Sequence, residues 1–186
     1  MVKEDVMFVN NQIIPAKSAS IPAIDQRLLY GWGLFETIRV YNKTTFMLDE
    51  HLSRMICSAR NFKISVPMNK DEIALKIQEY IKVLEFNDFV LKVILTKGDS
   101  NIPNLIFTHR RIPYTNEDYE KGYSAMISTI RRNAYTPLVY MKTLNYMENI
   151  LARQEAQESN YDEALFLNTE LIITEGSISN LFFIKN

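Results

Sequence analysis

The chain has 186 residues, 47% of them apolar and 23% charged, with a net charge of −1 from interspersed residues of both signs. That length can bury a proper core in one large or two small domains. The charge pattern offers no basic stripe for nucleic acid, no acidic tail, and no apolar run of membrane-spanning length.

The start, Met1-Val2-Lys3-Glu4-Asp5, puts two acids where a leader would begin its apolar region, so a cytoplasmic protein is expected. Val6 to Ile14 reads as a hairpin around Asn10-Asn11, which tolerate a left-handed turn. Phe35 to Tyr41 alternates as a strand, and Asn42-Lys43 turns the chain into a strand at Thr45 to Leu48. A helix is expected from Asp49 as N-cap, with Leu52, Met55, Ile56, Ala59 and Phe62 on one face. Cys57, the only cysteine, is expected to be a buried structural thiol within that helix. His51 and His109 have no companion cysteines, so no metal site is expected.

A second helix starts near Asn69 and turns Ile73, Ile77, Tyr80, Ile81 and Leu84 inward. Phe89 to Leu95 and Leu105 to Thr108 suit buried strands. The polar stretch Ile112 to Lys121, with Pro113, is read as an inter-domain connection. A strand from Tyr123 to Ile130 follows, then a helix from about Asn145 to Ser159 with Asn160 as a left-handed cap. Strands at Glu163 to Leu167, Leu171 to Thr174 and Leu181 to Ile184 end the order. The last is strongly apolar and calls for a further strand or layer to cover it.

Lys142 has the mostly apolar approach Leu138-Val139-Tyr140-Met141, which favours a neutral amine by desolvation. Glu175 stands at a strand end in Thr174-Glu175-Gly176-Ser177. A Schiff-base lysine needs a deprotonated amine, and a protonated pyridine nitrogen needs a facing carboxylate. On residue types alone, a surface lysine and a turn glutamate remain the stronger alternative.

Three ordered blocks change that reading. Lys142-Thr-Leu-Asn-Tyr-Met-Glu-Asn, Asp162-Glu163-Ala164-Leu165-Phe166-Leu167, and Thr174-Glu175-Gly176-Ser177-Ile178-Ser179-Asn180 together resemble the signature of the class IV aminotransferases. That family includes branched-chain and D-amino-acid aminotransferases and aminodeoxychorismate lyase. The resemblance extends to Asp25 through Arg39, with its Gly31-x-Gly33, and to Asp49-Glu50-His51-Leu52-Ser53-Arg54. Gly31-x-Gly33 alone is a weak motif, without the third glycine and helix of a dinucleotide fingerprint.

The resemblance implies an α+β fold of two domains, like that of D-amino-acid aminotransferase. A small N-terminal α/β domain would span residues 1–115. A larger barrel-like domain would begin at 122–186 and remain incomplete, because the last third of the family's chain has no counterpart here. It implies pyridoxal 5'-phosphate as cofactor, Lys142 as the internal-aldimine lysine and proton shuttle, Glu175 on the ring nitrogen, and Arg54 on the phosphate. Gly176 through Asn180 would lie beside the cofactor, and His51 close to the same site. Phe35, Thr37, Arg39 and Tyr146 are candidate substrate contacts; Arg39 is equally readable as a carboxylate binder or an outward strand residue. The partners implied are an amino acid or amine substrate and a second copy in a homodimer, with neither nucleic acid nor membrane.

The D-amino-acid branch carries an arginine and a histidine on the loop corresponding to Lys97–Asn104, and this loop has neither. Thr37 replaces the glycine usual in the branched-chain branch. The stretch from Ile130 to Tyr146 is most similar to lyase-type members, so an aminodeoxychorismate lyase releasing pyruvate and 4-aminobenzoate stays open. A shortened, non-catalytic remnant or binding module is the alternative of another class. Leu171 and Asn160 both stand where the family has turn glycines.

Overall fold

The computed structural model describes residues 5–100 and 102–185. The acidic start therefore lies, except for Asp5, outside the described residues, as does Asn101 of the 97–104 loop. The chain divides into two compact units, one of 1–112 with 141–144, the other of 113–140 with 145–186. The short segment Met141–Leu144 thus joins the first unit although the chain around it belongs to the second.

The first unit holds β1 (Val6–Val9), β2 (Gln12–Pro15), α1 (Gln26–Tyr30), β3 (Gly33–Tyr41), β4 (Thr44–Thr45), α2 (Leu48–Asn61), α3 (Lys70–Val83), β5 (Phe89–Asp99) and β6 (Ile102–Arg110). Its strands form one sheet in the order β2-β1-β6-β5-β3-β4. The β1–β2 hairpin turns through Asn10 and Asn11, at φ 47° and 76°. Residues alternate across a strand, so Leu34, Ile38 and Val40 of β3 share a face with Leu91, Val93 and Leu95 of β5. That face buries against Leu52, Met55 and Ala59 of α2 and Ile73, Ile77, Tyr80 and Ile81 of α3. All five inward residues expected of α3, Leu84 included, are buried. Its start is fixed by a reciprocal capping box between Asn69 and Glu72.

Helix α2 departs from expectation at its start. Met47 adopts a left-handed conformation and precedes the first helical residue, while Asp49 and Glu50 lie within the first turn. The preceding strand stops at Thr45, because β4 pairs with only Val40 and Tyr41 before the chain turns away. Acids in a first turn still favour the helix through its dipole. Cys57 is exposed rather than buried. The buried positions of α2 are Leu52, Met55, Ser58 and Ala59, and Cys57 falls outside that stripe.

The second unit holds α4 (Asn116–Lys121), β7 (Ala125–Arg132), α5 (Met147–Glu158), β8 (Glu163–Asn168) and β9 (Ile173–Gly176). The stretch expected to be a plain connection contains α4, started by a Thr115–Asp118 capping box. β7 and β8 pair in parallel and β9 joins antiparallel. A parallel pair needs a crossover, which α5 supplies by packing Ala152 and Ala156 against Ala164 and Phe166. Ser159 ends α5, and Asn160 follows in the left-handed region at φ 62°. Leu171 adopts φ 63° in the β8–β9 turn, so the β9 strand starts two residues later than expected.

Leu181 to Ile184 forms no strand. Phe182, Phe183 and Ile184 are exposed, since no described strand offers them a ladder. No described helix is long and apolar enough to cross a membrane, and no described group of three His, Cys, Asp or Glu could hold a metal.

Candidate active site

The predicted site residues fall in three groups, two on opposite faces of β3 in the first unit and one in the second unit. In the first unit, Lys142 stands in a short stretch added to the edge of β3. Leu34 bridges Thr143, the Phe35 amide donates to the Lys142 carbonyl at 2.9 Å, and the Leu144 amide donates to the Gly33 carbonyl at 2.9 Å. Opposed residues of an antiparallel pair share a face, so Lys142 projects beside Phe35. Its Nζ lies 4.6 Å from the centre of the Phe35 ring. Gly33 makes this docking possible: a Cβ there would meet Leu144 Cδ1 at 2.5 Å and the Leu95 carbonyl at 3.0 Å. Gly31, at φ 65°, ends α1 with its amide donating to the Arg27 carbonyl. The Gly-x-Gly segment is thus a helix stop and a seat for the lysine-bearing stretch.

Phe35, Thr37 and Arg39 alternate onto the sheet face that carries Lys142. Phe35 is buried, Thr37 is exposed, and the Arg39 guanidinium sits 4.8 Å over the Tyr41 ring. The Nε of Arg39 is buried with no acceptor among the described residues. The same face gains Lys92, which pairs with Thr37 across the β3–β5 ladder. Lys92 was not singled out from sequence.

Arg54 belongs to the opposite face of β3. Its Nε donates to Glu36 Oε1 at 2.7 Å and its Nη2 donates to Glu36 Oε2. His51, one turn earlier on α2, brings its Nδ1 to 2.8 Å from Glu36 Oε2. Glu36 is 1% exposed, a carboxylate at a core-facing position of an apolar strand. Burial alone would raise its pKa, but hydrogen bonds from His51 and Arg54, with the Arg54 charge, outweigh it and hold it below the usual carboxylate range. The same bonds raise the Arg54 pKa against the opposing effect of burial. Sequence reasoning named Arg54 but missed Glu36. The available signal was an acid at an inward strand position with a basic pair at i and i+3 on the next helix.

The donor set fits a phosphate. A guanidinium has five N–H groups; Glu36 takes two, and the Arg54 side chain is 55% exposed. The remaining edge can address an anion bidentately while Glu36 fixes its plane.

In the second unit, Glu175 lies on β9 with its Oε1 3.2 Å from Arg132 Nε, a charge contact not aligned as a hydrogen bond. Arg132 is further held by Glu148 Oε2 and Asn149 Oδ1, each at 2.7 Å, and its guanidinium stacks 4.1 Å over Phe166. Tyr146 donates its hydroxyl proton to the Ser177 carbonyl at 3.1 Å. Burial first, then the Glu175 charge, raises the Tyr146 pKa. The loop after Glu175 is pinned by buried Glu163, which accepts from the Ser177 amide at 3.0 Å and from the Ser177 hydroxyl.

Residues 33–186 match the family model described as Amino-transferase class IV. A Methanocaldococcus jannaschii protein named "Putative branched-chain-amino-acid aminotransferase" is 30% identical, over 97% of this chain and 65% of that protein. Aminodeoxychorismate lyase of Bacillus subtilis is 27% identical, over 97% of this chain and 64% of the relative. The chain therefore spans about two thirds of the length of these relatives. The fold matches that of the branched-chain aminotransferase of Thermoproteus uzoniensis, solved with norvaline. The TM-score is 0.82 at 25% identity, over 93% of this chain and 63% of that one.

Proposed function

The chain belongs to the class IV aminotransferase family, and on that footing we propose that it serves pyridoxal-phosphate-dependent transamination of an amino acid or related amine. The observation that carries the proposal is the seat of Lys142, whose amine stands against the Phe35 ring on a sheet face that also bears Lys92 and Arg39. When bound, pyridoxal phosphate supplies an electron-withdrawing ring that makes the substrate Cα proton acidic.

In this reading Lys142 Nζ is the covalent anchor of the cofactor and the base that moves the substrate Cα proton. Arg54 binds the phosphate through the guanidinium edge that Glu36 leaves available. Glu175 would face the pyridine nitrogen, with Arg132 as its charge partner at 3.2 Å. Phe35, Thr37, Arg39 and Tyr146 are the substrate contacts, with Arg39 suited to a carboxylate. A cytoplasmic homodimer of two-domain subunits belongs to the same proposal.

The relative from Bacillus subtilis supports a second reading, aminodeoxychorismate lyase, which needs the same three cofactor contacts. Retention of Lys142, Arg54 and Glu175 together opposes the reading of a non-catalytic remnant. The test is an absorbance spectrum of the full-length protein with added pyridoxal phosphate, followed by assays with amino acid and 2-oxo acid pairs and with aminodeoxychorismate. Visible absorbance with transfer of an amino group supports transamination. Pyruvate release supports the lyase, and a colourless, inactive protein sinks both.

A further inference from the structure

Two lysines share one aromatic ring. Lys92 Nζ lies 4.5 Å from the centre of the Phe35 ring, and Lys142 Nζ lies 4.6 Å from the same centre. The two nitrogens are therefore at most about 9 Å apart, inside the range where unit charges interact across a protein surface. Lys92 is delivered by β5, directly across from Thr37 of β3, and Lys142 by the stretch paired to the other edge of β3.

The strands bring further cations to this sheet face. β3 contributes Arg39, β5 contributes Lys92, and β6 contributes Arg110, which pairs with Val90. Carboxylates stand toward the Gly33 end of this face: Asp99 pairs with Ile102 beyond the irregularity in β5, and Asn104, opposite Thr96, donates to the buried Asp25 carboxylate at 2.7 Å. Glu36, the acid next in sequence to Phe35, is turned to the opposite face, where it is ion-paired with Arg54 and hydrogen-bonded to His51. Burial, then the charges of Lys142 and Arg110, hold the Lys92 amine below the ordinary lysine value.

We propose that Lys92 is a positioning residue for Lys142: its ammonium, held against the same Phe35 ring, favours the neutral form of the Lys142 amine. The proposal rests on the reading of Lys142 as the cofactor lysine. Mutual repulsion makes the two amines a coupled pair. The Phe35 ring offers each cation an attractive face, so neither amine need swing away to relieve the repulsion. A lysine that must act as a nucleophile gains from such a cationic neighbour, because only the neutral amine has the lone pair.

The experiment is competitive acetylation of the cofactor-free full-length protein across pH, read by mass spectrometry on the peptide containing Lys142. Lys92→Met should raise the Lys142 half-titration point by roughly 0.3 to 1.3 pH units, the span between water-like and protein-surface screening at that distance. Lys92→Arg, which keeps the charge, should restore the wild-type value. In the wild type, raising the salt concentration should move the half-point upward by screening; this arm decides the matter if Lys92→Met does not fold. An unmoved half-point in Lys92→Met or in high salt, or an equal shift in Lys92→Arg, overturns the proposal. A parallel borohydride reduction of the wild-type holoenzyme separates the two levels. An adduct on Lys142 with an unmoved titration sinks only the role of Lys92, whereas an adduct elsewhere sinks the reading of Lys142 itself.

Discussion

Replacing Glu36 with glutamine probes a carboxylate that is only 1% exposed. The substitution keeps volume and shape but removes the charge and converts one acceptor oxygen into an NH2 donor. Three donors now converge on the carboxylate: Arg54 Nε at 2.7 Å, Arg54 Nη2, and His51 Nδ1 at 2.8 Å. The new NH2 would face one of them, donor against donor. Losing a charged hydrogen bond to a buried group costs about 1.5–3 kcal/mol. The full cost of breaking a buried pair does not apply, because the Arg54 side chain is 55% exposed and can rehydrate. We expect a loss of about 2 kcal/mol, measured by urea melts at neutral pH. The Glu36 pKa is lowered in the fold, so its stabilisation is complete above the unfolded value of about 4.3. It is lost as pH falls through the folded value. The gap between wild type and Glu36→Gln should therefore be constant near neutrality and close in acid. A gap that persists unchanged to low pH, or no gap at neutrality, refutes the assignment of Glu36 as the ionised anchor of Arg54.

Three further outcomes follow from other parts of the fold. Gly33→Ala should weaken retention of pyridoxal phosphate on dialysis, because the added Cβ collides with Leu144 beside Lys142; undiminished retention would show that the stretch docks elsewhere. Glu175→Gln should bind the cofactor yet slow Cα deprotonation by about 10²–10⁴-fold, the scale of losing a positioned acid–base partner. A Glu175→Gln rate equal to wild type in stopped flow would remove Glu175 from the ring nitrogen. Leu171→Gly should stabilise the protein by about 0.5–1 kcal/mol, since an exposed leucine at φ 63° bears left-handed strain that glycine does not. A lower melting temperature would mean that the Leu171 side chain contributes packing.

Local signals were the legible part of the fold. The α3 stripe, its Asn69–Glu72 capping box, the Asn10-Asn11 turn and the β5–β6 strands each follow from periodicity or turn chemistry within a few residues. The family pattern supplied Lys142, Glu175 and Arg54. Contacts between distant segments were less legible. Glu36 breaks the apolar alternation of β3, and only the docking of α2 explains it, by bringing His51 and Arg54 over the carboxylate. Lys92 is one lysine among many until the ladder sets it opposite Thr37. Cys57 as a buried thiol and Asp49 as the N-cap were misread because the burial stripe and start of α2 are set by its packing on the sheet, which propensity does not report. Leu181 to Ile184 has strand composition but no described neighbour to pair with, and composition alone does not make a ladder.

Lys142 is proposed as the residue to which the cofactor is covalently bound. Reducing the full-length holoenzyme with borohydride, digesting it, and sequencing the pyridoxyl peptide by mass spectrometry tests this directly. A single adduct on Lys142 is expected, lost in Lys142→Ala together with the visible absorbance. An adduct on Lys92 or Lys97, or a Lys142→Ala protein that remains yellow, would contradict it.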